Sequence, residues 1–223
     1  MNVGDHGELR DHVGLAAKLN IKDGLHGHTV INIHRYDSAV FERQSKPYFE
    51  EEADCLAMAA RALNAGNHEV WARYWMQAKT MRERGQRRAF NRTEAVENLG
   101  LNEGINLLTT LLCGGAGTAF SNANSYIGVG DSATGETAAQ TGLQASTNKL
   151  YVAVDGSYPT YGTSQQAAWR STFTGAQANY AWNEFTVANG NSDSATNLNR
   201  KVSAQGTKTS GQTWQPTCTI TWS

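Results

Sequence analysis

The sequence predicts an α+β protein: an N-terminal arm, a strand and a helical hairpin, followed by an antiparallel β-sandwich or partly closed β-barrel. Three observations predict it. Of the 39 charged side chains, 28 fall in the first 100 residues and 11 in the remainder, and all six histidines lie in the first part. That charged, Ala-rich part favours helix, because straight-chain residues lose little rotamer freedom there. The later part is rich in Thr, Ser, Asn, Tyr, Trp and Gly, the composition of short strands and tight turns. The break near residue 100 divides the chain into an anchoring region, 1–97, and a helix plus β domain, 98–223.

Taken in order, Val3 to Leu25 shows no sustained period and repeated glycines, so Met1–Gly24 is expected to be an arm that a partner orders. His28–His34 reads as a strand, with Ile31 and Ile33 on one face. From Pro47 the pattern turns helical: Glu50, Glu51, Glu52 and Asp54 complement the helix dipole, Cys55, Leu56, Ala59, Ala60 and Leu63 form an apolar stripe, and Asn64-Ala65-Gly66 stops it. Asn67 caps a second helix with Val70, Trp71, Tyr74, Trp75, Ala78 and Met81 at spacings of three and four. A third helix, Asn102–Leu112, carries Ile105, Leu108, Leu111 and Leu112 and ends at Gly114-Gly115; it is expected to pack under the β domain. Strands follow at Tyr126–Val129, Lys149–Val154, Ala168–Phe173, Asn179–Val187, Leu198–Ser203 and Thr213–Trp222. The mixed faces of Tyr180–Val187 suggest cover on both sides, and Pro216, lacking a donor, points to an edge or a bulge for the last strand.

Charge and composition exclude several classes of activity. A formal net charge of −1 gives no bulk attraction to nucleic acid or to an acidic membrane. No apolar run reaches the roughly 20 residues of a transmembrane helix, and the polar start is not that of a secretory precursor. Cys55, Cys113 and Cys218 are odd in number and widely spaced, so neither a disulfide framework nor a zinc ribbon is indicated, and folding in a reducing cytoplasm is expected.

Catalytic signatures are missing. The chain contains no phosphate-binding loop, nucleophile elbow or H-E-x-x-H pair, and Gly128–Asp131 ends a strand with no helix after it to hold a phosphate. His26, His28 and His34 are separated by even numbers and share a strand face, but a fourth ligand and acids to orient them are not evident, so no metal or cofactor is expected. Asp131, Glu136, Asp155, Glu184 and Asp193 are scattered among turns and make no paired acid/base site. What remains is contact chemistry. Trp71 and Trp75 stand at helical spacing, as core or interface filler, and Arg82, Arg84, Arg87 and Arg88 follow at the helix end, with Glu83 interleaved. These six are the candidate interface residues.

The segments N-L-G-L-N-E-G-I-N-L-L, Y-I-G-V-G-D-S-A-T, T-G-L-Q, A-W-R-S-T-F, A-W-N-E-F-T-V-A-N-G and L-N-R-K-V, within Asn98–Ser223, resemble small virion proteins of tailed bacteriophages. In particular they resemble a β module of capsid auxiliary proteins and tail-collar fibres, in which a G-x-G-D turn precedes a T-x-L segment and a later strand carries W-x-E. Here those are Gly128–Asp131, Thr141–Leu143 and Trp182–Glu184. The resemblance implies a non-enzymatic virion structural protein, assembled in the host cytoplasm. A capsid decoration or cement protein binding the major capsid protein comes first, with a tail, collar or fibre adaptor or a glycan-binding adsorption protein as alternatives. A homo-oligomer is expected, a trimer being common in symmetric shells; neither nucleic acid nor membrane is an expected partner.

Overall fold

A computed structural model of the chain describes residues 27–96 and 98–222. The arm expected over Met1–Gly24, and His26, lie outside the described residues.

β1 (Gly27–Asp37) leads through a turn of α-helix (Ser38–Val40) and a π-helical turn (Phe41–Ser45) into α1 (Lys46–Asn64). Asp37 caps this run, accepting from the amides of Ala39 at 3.0 Å and Val40 at 3.1 Å. The helical path therefore begins well before Pro47, and Glu50, Glu51 and Glu52 lie past the first turn of α1. Gly66, at φ 70°, closes α1 in the left-handed region, and the Asn67 side chain accepts from the Val70 amide at 3.1 Å to open α2 (His68–Gln86). The two helices form the expected hairpin.

Among the described residues ten strands make two antiparallel sheets of five. The first joins β1 and β2 (Asn91–Val96) to β10 (Gln212–Trp222), β7 (Gln166–Arg170) and β6 (Thr160–Thr163), in the order β2-β1-β10-β7-β6. The second runs β3 (Leu99–Gly100), β9 (Asn199–Val202), β8 (Glu184–Ala188), β4 (Tyr126–Gly130), β5 (Lys149–Ala153). The sheets face each other without closing into a barrel. Ile31, Ile33, Trp169, Cys218 and Ile220 from the first meet Ile127, Val129, Phe185 and Val187 from the second. At the centre Trp182 is fully buried, edge-on to Phe173 and Trp214 at 4.8 Å each.

The position of β10 corrects the sequence reading. It is the central strand of its sheet, paired with β1 along all 11 residues, so the strand from the 1–97 segment is built into the sheet of the 98–223 segment. Pro216 is accommodated because its missing donor falls in a gap of the neighbouring ladder. Beyond the Thr217–Arg170 pair, Ser171 still donates to the Pro216 carbonyl at 3.2 Å, no bond returns, and pairing resumes between Trp214 and Phe173. The strand expected over Asn179–Val187 starts only at Glu184. Upstream of it Tyr180 and Trp182 exchange hydrogen bonds with residues 205–208 instead. All five residues of β8 are buried, as its mixed faces suggested.

α3 (Asn102–Leu112) lies against the residues entering β9. Gly104 permits this, since a Cβ there would stand 2.4 Å from the Leu198 Cα, and the Glu103 carboxylate accepts from the Asn197 amide at 2.7 Å. Leu107 and Leu108 pack on the core. The expected burial of the whole stripe fails at Ile105 and Leu112, which face outward.

Candidate interaction surfaces

The hairpin is bound to the sandwich by a buried charge cluster. Glu52, fully buried on α1, receives Arg170 Nη1 from β7 on one oxygen at 2.5 Å and Arg82 Nε from α2 on the other at 2.6 Å, with Tyr158 Oη at 3.1 Å. Arg170 Nε also donates to Asp155 Oδ2 at 2.7 Å, and its guanidinium lies 4.4 Å from the Tyr158 ring centre and 4.7 Å from that of Phe49. Burial alone would lower the Arg170 pKa; the carboxylates of Asp155 and Glu52 overcome it and raise the value, while burial pushes the neutral Tyr158 phenol up to about 12.

This cluster divides the six interface candidates. Arg82 is turned inward onto Glu52 and is not a free contact residue. Arg84, Arg87 and Arg88 remain exposed and, with Tyr48, wall a hollow of about 370 Å³ at the C-terminal end of α2, where cations suit the helix dipole. Arg87 also borders a second hollow of about 430 Å³ with His34, Glu83, Phe90 and Arg92. Phe90 is 58% exposed there, an aromatic side chain that sequence reasoning did not single out.

Trp71 and Trp75 stack on each other, ring centres 6.2 Å apart and planes at 19°. Both are half-buried and line a cleft of about 310 Å³ between the hairpin and the approach to β6. Tyr158, Pro159 and Tyr161 form its other wall, and Asn64, Ser121, Asn122 and Ser157 give it an uncharged polar rim. Tyr161 is 73% exposed.

The histidines do not converge. His28 is exposed and His34 buried, and six steps along the strand set them about 20 Å apart, too far to share an ion. Among the described residues no three His, Cys, Asp or Glu side chains come together as a metal site. Cys113 is exposed, whereas Cys55 and Cys218 are buried, and burial pushes the Cys218 thiol up to about 12. No helix among the described residues is long and apolar enough to cross a membrane.

No protein-family model matches the chain, nor does any curated protein or solved structure.

Proposed function

We propose that the protein is a non-enzymatic structural subunit of a tailed-phage virion. In this reading it is a decoration or cement protein seated on the major capsid protein through the hairpin, by Arg84, Arg87 and Arg88 at the end of α2 and by Trp71 and Trp75 at the cleft. One observation carries it: the Glu52 cluster ties the hairpin to the sandwich, while α2 leaves Arg84, Arg87 and Arg88 exposed at its C-terminal end and half-buried Trp71 and Trp75 lining the cleft beside the sandwich. Trp, Tyr and Arg dominate binding energy at protein interfaces, and a rigid frame limits the ordering cost of docking. The resemblance of 98–223 to virion β modules supports the same reading.

Densitometry of gels from purified particles tests it. A shell protein is expected at hundreds of copies per particle; a few dozen in a multiple of three or six would make it a tail, collar or fibre adaptor; absence from the particle overturns both. A second reading, glycan binding in adsorption, is favoured by the aromatic cleft and its polar rim. A glycan array that stays silent removes it.

A further inference from the structure

α3 has more apolar surface than the sandwich beneath it can cover. Ile105 is 47% and Leu112 85% exposed, and with Leu108, Leu198, Ile220 and Trp222 they wall a groove of about 520 Å³. No charged side chain among the described residues lines it. A contiguous apolar recess of this kind marks a contact site. The chain itself leads to it: Gly27, the first residue of β1, pairs with Trp222, and Thr29 beside it pairs with Ile220 and also lines the groove.

We propose that the groove is occupied by the segment preceding β1 in the same chain, residues 9–25. The sequence places 26 residues before Gly27, among them Leu9, Val13, Leu15, Leu19, Ile21 and Leu25. Leu25 lies two residues, about 7 Å of chain, before Gly27, which pairs with the groove residue Trp222, and Gly24 and Gly27 give the backbone the freedom to reverse there. So short a tether makes docking intramolecular, at an effective concentration in the millimolar range that a separate partner would have to exceed. The proposal is independent of any role in a virion.

Photocrosslinking of the full chain tests it. Leu112→p-benzoylphenylalanine changes a largely exposed position, so folding is preserved. Irradiation is expected to give adducts with peptides from residues 1–26 in the band of one chain. Adducts with those peptides in a band of twice the mass mean exchange between copies, and adducts lacking them mean another occupant; either overturns the proposal. A chain deleted for residues 1–24 is expected to raise the fluorescence of an apolar-surface dye several-fold, reversed by the synthetic 1–24 peptide, and an unchanged signal also overturns it.

Discussion

Arg200 Nε donates to Glu184 Oε2 at 2.8 Å, and both side chains are fully buried. Several of the motifs singled out in the sequence meet at this pair. Glu184 closes W-x-E, Arg200 belongs to L-N-R-K-V, and the amides of Gln144 and Ala145, just past T-x-L, donate to the Glu184 carboxylate at 2.9 and 2.7 Å. Gly130 of G-x-G-D pairs with Glu184 across the sheet, and a Cβ there would stand 2.5 Å from its Oε1. These residues thus build one buried junction of the fold. Removing the charge leaves Arg200 buried without its counter-ion, so Glu184→Gln is expected to cost about 3–5 kcal/mol in urea unfolding. A loss under about 1 kcal/mol would contradict this account.

The arginines of α2 are expected to separate in the same measurement. Arg82→Ala strips Glu52 of one of its two cations and should destabilise the fold by about 2–4 kcal/mol. Arg88→Ala removes an exposed side chain, so its stability should change by less than about 0.5 kcal/mol while any virion attachment through the hairpin weakens. Equal losses in the two variants would place Arg82 at the surface.

His34 makes stability depend on pH. Burial first, then the charges of Arg92 and Arg170, lower its pKa from 6.5 to about 4. Arg92 faces it from β2 and Arg170 from β7, while Glu83 and Arg87 border the same hollow from α2 and just beyond it. The unfolded chain takes up the proton near pH 6.5 and the folded chain resists it until about 4. The stabilisation is therefore whole above pH 6.5, falls as pH drops through that window and declines no further below it. Allowing for solvent screening of exposed Arg92, the loss from pH 7.5 to pH 5 should be about 1–2 kcal/mol. His34→Asn should remove that part of the pH dependence, and a His34 imidazole resonance, assigned by its absence from that variant, that titrates near 6.5 in the folded protein would refute it.

How much of this was legible in the sequence depends on how locally each feature is encoded. Asn67 and Gly66 mark their helix ends by their own chemistry, and the alternation of β1 and β10 is visible because one face is β-branched or aromatic. β2 was hidden because Arg92-Thr93-Glu94 is a polar edge held by pairing with β1 across some 60 residues, and β3 is only two residues long. Pro216 misled because a missing donor excludes one hydrogen bond, not a central position. Glu52 did leave a trace. It lies three residues after Phe49 and three before Cys55, on the buried stripe of α1, where an acid requires a partner cation. Arg82 follows Ala78 by four on α2 in the same way, but nothing local tells that the third member is Arg170.

Gly104 decides whether α3 can stay where it is. A methyl group at this position would meet the Leu198 Cα at 2.4 Å and the Asn197 carbonyl oxygen at 2.6 Å, and backbone atoms cannot swing aside as a long side chain can. Gly104→Ala therefore has to lift α3 from the approach to β9, loosening the Glu103 contact with the Asn197 amide and the packing of Leu108. The helix itself gains slightly from alanine, by about 1 kcal/mol, so a net loss measures the steric effect directly. A net destabilisation of about 1–3 kcal/mol is expected, with faster hydrogen exchange at the amides of α3. Gly135→Ala, with open space around its Cβ, serves as the control and should leave the urea midpoint unchanged. Equal behaviour of the two variants would show that α3 does not rest on Leu198.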